Sequence, residues 1–171
     1  MEVKTLTTSK ALPGYDQSPL AKGELNDCVV RAMAVAFDIS YEKAHRICKL
    51  DYNRQDRDGV RGFALKLSIW DAGIYLDKRI KFLGDKPTGR ESYPRMFTYY
   101  RNWDPHRQAY KIDVRCMTVG TFLKKYPKGT YLMVVTNHAF VIKDGVVIGN
   151  EDDGQMMRRR INTATLIEAQ A

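Results

Sequence analysis

The stretch from Thr130 to Gly149, TYLMVVTNHAFVIKDGVVIG, limits the fold more than any other part of the chain. Valine, isoleucine and aromatic residues dominate three short runs, and turn residues punctuate them. Thr130–Thr136 reads as one strand, His138–Ile142 as a second and Val146–Gly149 as a third, with Asn137 and Lys143-Asp144-Gly145 as the turns. Runs this short, joined by turns this tight, pair as an antiparallel meander. A sheet with such apolar strands must be covered, and the helical segments earlier in the chain are the available cover.

The strongest of those segments follows Gly23-Glu24-Leu25-Asn26-Asp27-Cys28. Val29 to Phe37 is rich in alanine and methionine and carries only Arg31 as a charge, the signature of a buried helix. Asn26 and Asp27 are residue types that cap helix starts, which puts Cys28 in the first turn. Free N–H groups and partial positive charge at a helix start favour a thiolate, the nucleophilic form of cysteine. Packing is the commoner role for a lone cysteine. What raises Cys28 above it is His138, at the start of an apolar strand, where a sheet rim can face a helix start. Ser40 before Lys43-Ala44 begins a second helix, with Ala44, Ile47 and Cys48 on one face. Residues 51–59 read as a polar loop. Residues 60–72 read as a third helix stopped by Gly73, and 74–76 as a short strand.

Composition narrows the function. The chain of 171 residues is 44% apolar and carries a net charge of +8. That suits one soluble domain, expected in the cytoplasm, with no membrane-spanning run and no membrane partner. The positive charge attracts polyanions without naming one. Cys28, Cys48 and Cys116 are the only cysteines, an odd number that argues for reduced thiols. Without a Cys-x-x-Cys pair no metal site is expected, and His45 and Cys48 read as packing residues. No cofactor motif is present.

The domain plan has an N-terminal arm over residues 1–22, whose only strand is Val3 to Leu6, and a core over 23–152. A basic tail over 153–171 carries Arg158-Arg159-Arg160. Within the core, 84–111 reads as an irregular insertion. There Tyr93, Phe97, Tyr99, Tyr100, Trp103 and Tyr110 interleave with Arg90, Arg95, Arg101, Arg107 and Lys111. Packing or a substrate wall is preferred for it; base stacking and phosphate contact is the weaker reading.

A histidine base needs an orienting partner. With a three-residue loop in which Gly145 is the bulge, Ile142 pairs with Val146 and His138 faces Asn150 on the same side of the sheet. A two-residue Asp144-Gly145 loop moves His138 opposite Glu151. Lys-Asp-Gly suits the first, so Asn150 is the expected partner, with Glu151 and Asp152 as substitutes.

The runs NDCVVRAMAVAFDISYEKAH and GTYLMVVTNHAFVIKDGVVIGN together resemble the papain-like cysteine peptidase superfamily, and more narrowly small bacteriophage-encoded members. The likeness covers the first helices and the meander, not residues 77–115. It implies an α+β fold with N-terminal helices packed on a C-terminal antiparallel sheet. It also implies a thiol hydrolase or acyl transferase, a cysteine peptidase or isopeptidase in particular. Cys28 is then the nucleophile, His138 the base and Asn150 the orienting residue. The substrate is a protein or peptide, a host protein in the host cytoplasm for a phage-encoded chain. Papain-like enzymes usually place a glutamine six residues before the nucleophile; here that residue is Lys22, and the Asn26 side chain is the substitute oxyanion donor beside the Cys28 amide. The alternative is a non-catalytic binder on the same fold, gripping nucleic acid or a host protein through residues 90–111.

Overall fold

The computed structural model describes residues 2–170. The meander forms as expected: β5 (Thr130–Val135), β6 (His138–Lys143) and β7 (Val146–Gly149) are consecutive antiparallel neighbours. Two flanking segments complete the sheet. β8 (Thr163–Ala169) pairs antiparallel with β5 and with β2 (Lys78–Phe82), while β1 (Thr5–Thr7) runs parallel to β7. The six-stranded order is β1-β7-β6-β5-β8-β2. The fold is mixed α and β on a mostly antiparallel sheet, and among the described residues no helix is long and apolar enough to cross a membrane.

Helices cover both faces, which explains the near-continuous apolar runs of β5 and β6. On one face α3 (Cys28–Phe37) packs on β6, β5 and β7, with α4 (Tyr41–Asp51) beside it. This layer joins Met33, Phe37, Tyr41 and Leu67 to Leu132, Ala139, Val141 and Ile148. On the other face α7 (Val119–Lys125) brings Phe122 and Leu123 against Met133, Val135, Phe140 and Ile142. Seven of the ten α3 residues are buried. Its weak polarity is therefore the mark of an inner layer, as the sequence indicated. The Ser40 side chain accepts from Lys43 N at 3.1 Å to start α4, and Ala44, Ile47 and Cys48 are buried together as the spacing required.

Several expectations change. The segments at 1–22 and 153–171 are not appendages, because each contributes a strand to the sheet. The arm also holds two one-turn helices, α1 (Thr8–Ala11) and α2 (Pro19–Lys22), and buries Thr8, Leu12 and Ser18. Arg159 and Arg160 are not a free basic patch: their guanidinium groups donate to the carbonyls of Thr136 and Cys116. The third helix is shorter than 60–72. Chain direction breaks at Trp70, and Asp71 accepts from Gly73 N and Ile74 N to start a new turn, so α5 (Phe63–Ile69) and α6 (Ala72–Leu76) replace one helix and a strand. Residues 84–96 are irregular, as expected, but the later part of the aromatic stretch is not. β3 (Phe97–Asp104) and β4 (Ala109–Cys116) form a separate antiparallel ribbon, so its aromatic and polar interleaving is strand alternation.

Candidate active site

Cys28 opens α3, as its sequence context indicated. The local chemistry differs from an ordinary cap. Asp27 stands at the N-cap position but makes no side-chain cap bond. Its carboxylate instead accepts from Arg31 Nε at 3.0 Å and from the Tyr41 hydroxyl at 2.8 Å. The first-turn N–H groups of α3 thus have no side-chain acceptor, which leaves them available to a ligand. Asn26, at φ 53°, turns the chain into the helix.

His138 is the first residue of β6, across from Val135, with its ring stacked on Phe140. Thiol and imidazole both line one cleft at the sheet rim, and the imidazole and the Ala139 N–H act on the thiol to favour its ionised form. On its other side, His138 Nε2 lies 3.0 and 3.1 Å from the two carboxylate oxygens of Asp153. Nε2 therefore belongs to the carboxylate, and Nδ1 remains to serve the thiol.

Asp153 corrects the expectation for the third residue. Asp144 and Gly145 both take positive φ, 48° and 80°, the geometry of a two-residue type I′ turn. Lys143 accordingly pairs with Val146, and the three-residue loop that put Asn150 opposite His138 does not form. The alternative register does not supply Glu151 or Asp152 either, because β7 ends at Gly149 and both side chains are exposed. The chain turns through 150–152 into a single 3₁₀ turn, Asp153–Gln155, which returns Asp153 beneath the imidazole. Asp153 is 3% exposed, and it also accepts from Asn150 N at 2.8 Å. Gly149 makes room for it: a Cβ there would sit 2.1 Å from Asp153 Oδ2. The Asn150 side chain accepts from Arg31 instead, at 2.8 Å. A carboxylate at the first position of the supposed tail gave no sequence signal except that Gly149 precedes an acidic turn.

Burial alone would push the Cys28 thiol up. The hydrogen bonds from His138 and the Ala139 N–H, with the positive charges of His138 and Arg31, outweigh it and hold the thiol below its ordinary value. His138 is raised from 6.5 to about 9, first by its bond to Asp153, then by Cys28, against the opposing effect of burial. Cys48 shows the contrast: with no imidazole beside it, burial pushes that thiol up to about 12. The site thus favours a thiolate–imidazolium pair.

The pair opens on a cleft of about 610 Å³ whose walls include Val29, Arg61, Phe63, Tyr93, Val135 and Asn162. Asn26 also lines it, but its amide donates to the Arg57 carbonyl at 3.3 Å rather than standing free as an oxyanion donor. Lys22 is exposed, and neither it nor any other described residue of the arm lines this cleft. Set against known proteins, the chain matches no family model, no curated protein and no solved structure.

Proposed function

We propose that the protein is a papain-like thiol hydrolase or acyl transferase, a cysteine peptidase or isopeptidase, working through a thioester on Cys28. The observation that carries this reading is the buried Asp153 carboxylate on Nε2 of His138, with that imidazole and the Cys28 thiol lining the same cleft. In the first step the thiolate attacks a carbonyl carbon and the oxygen gains the negative charge. The Cys28 amide at the start of α3 is placed to stabilise that oxyanion. Imidazolium then gives its proton to the leaving amine as the C–N bond breaks. In the second step His138 takes a proton from water as the oxygen attacks the thioester carbon, the C–S bond breaks, the acid product leaves, and the thiolate and imidazolium are restored. Asp153, not Asn150, holds the ring and stabilises its charged form. The cleft walls mix apolar residues such as Val29 and Phe63 with polar ones such as Arg61 and Asn162, which suits an extended peptide.

A generic acyl donor tests the chemistry without the natural substrate. Brief exposure to p-nitrophenyl acetate, acid quench and peptide mass mapping should find one acetyl group on Cys28, lost in His138→Ala. Acetylation of surface lysines with none on Cys28 would defeat the proposal.

The β3–β4 ribbon favours a second role, binding. Strand pairing puts Tyr99, Arg101, Trp103, Tyr110, Ile112 and Val114 on one face, and Trp103 and Ile112 are 54% and 64% exposed. Arg101 lies 3.8 Å over the Tyr110 ring. Tryptophan, tyrosine and arginine together are the composition of protein-binding hot spots, so we read the ribbon as a docking arm for a protein substrate. Salt-dependent binding of an oligonucleotide, unchanged by Cys28→Ala, would assign it to nucleic acid instead.

A further inference from the structure

We infer that Glu24, His45 and Asp56 form a binding site for a divalent transition-metal ion, Zn²⁺ by preference, separate from the thiol chemistry. His45 is 6% exposed, yet its Nε2 has no hydrogen-bond partner among the described residues. That atom faces Glu24 Oε1 at 3.6 Å and Asp56 Oδ1 at 3.9 Å, too far for either to satisfy it. The three donor atoms all lie within 4.8 Å of one another. A tetrahedral zinc ion with bonds of about 2.0–2.1 Å sets its ligand atoms about 3.4 Å apart, so small movements close the set around a metal. Imidazole with two carboxylates is a ligand class that zinc accepts, and water would complete it. The sequence reading of His45 as a packing residue accounts for its burial but not for its unsatisfied nitrogen.

The neighbouring cations are compatible with this. Arg54 donates to the other oxygen of Glu24, Oε2, as does the Arg57 amide at 3.4 Å, leaving Oε1 turned to the centre. Lys49 donates to both oxygens of Asp56, at 3.5 Å to Oδ1 and 3.4 Å to Oδ2, but both side chains are more than half exposed and free to part. With Lys49 gone, two carboxylates face one guanidinium, and one net negative charge remains for the incoming ion. Glu24 and His45 are buried and fixed; Asp56 sits on the exposed loop and supplies the closing ligand.

Placement gives the site a consequence. Glu24 lies in the turn that leads to Cys28, and Asp56 is two residues before Asp58-Gly59-Val60, which line the cleft. A metal here would clasp the loop wall of the cleft to the turn that positions the nucleophile.

The test uses the full chain with Cys28→Ser, so that the thiol and His138 do not compete for metal. After removal of metal by EDTA, Zn²⁺ is titrated by calorimetry, and melting is followed with and without Zn²⁺. One equivalent should bind with Kd at or below about 10 µM and raise the melting temperature. Asp56→Asn, an exposed change that leaves the fold intact, should weaken binding at least tenfold, and His45→Gln should abolish the melting shift. No saturable binding up to about 100 µM Zn²⁺ would overturn the inference. So would equal affinity in the parent and Asp56→Asn; that variant decides the matter even if His45→Gln fails to fold.

Discussion

Replacing Asp153 by asparagine removes a charge from beneath the imidazole while keeping a carbonyl oxygen for Asn150 N. The rise of His138 from 6.5 to about 9 corresponds to about 3 kcal/mol in favour of the imidazolium, at 1.36 kcal/mol per pH unit. The His138 side chain is 13% exposed, so solvent screening takes little of this. Asp153 is the largest cause, and a hydrogen bond between charged groups contributes about 1.5–3 kcal/mol, so a loss of about 2 kcal/mol is expected when the carboxylate goes. A raised folded-state basicity stabilises the fold fully below the unfolded value of 6.5, and the effect is lost as pH rises through about 9. Urea unfolding of wild type and Asp153→Asn at pH 6 and pH 10 should therefore differ by about 2 kcal/mol at pH 6 and by a few tenths at pH 10. An equal loss at both values would mean that Asp153 acts by packing alone, and the electrostatic account of the site would fail.

Gly149→Ala should act on the same carboxylate from the side, since the added methyl meets Asp153 Oδ2 at 2.1 Å. His138 titration followed by NMR should then fall well below 9. Asn150→Ala should leave that titration near 9, because the side chain reaches Arg31 and not the ring; a fall matching that of Asp153→Asn would restore the meander-register assignment. Arg31→Met strips the ion pair from Asp27 and should cost about 1–3 kcal/mol in denaturant unfolding, while raising the Cys28 thiol. Trp103→Ala, on the exposed ribbon, should change stability by no more than about 0.5 kcal/mol; a larger loss would show that the ribbon face is packed rather than presented.

What could be read from residues alone follows the range of the interactions. The α3 helix, the Ser40-capped α4 and the three-stranded meander are written in local periodicity, and so were the positions of Cys28 and His138 at element starts. The register was a closer matter. Lys-Asp-Gly fits a bulged loop, and only the positive φ of Asp144 selects the tighter turn. Asp153 was out of reach for another reason: its position depends on a short turn after β7 and on the missing side chain of Gly149, neither of which has a periodic signature. β8 was hidden by composition, since three arginines beside it suggested a solvated tail while two of them serve carbonyls. The ribbon shows the reverse error. Its aromatic residues alternate as a strand should, but prolines and glycines nearby made the segment look irregular.

Alkylation kinetics put the central claim to its most direct trial. Wild type is treated with iodoacetamide across pH 6–9, and the labelling rate of each cysteine is read by peptide mass spectrometry. Cys28 should react at least tenfold faster than half-buried Cys116 near neutral pH, with Cys48 silent, and His138→Ala should remove that advantage. Equal rates at Cys28 and Cys116, or a Cys28 rate indifferent to His138→Ala, would contradict the account.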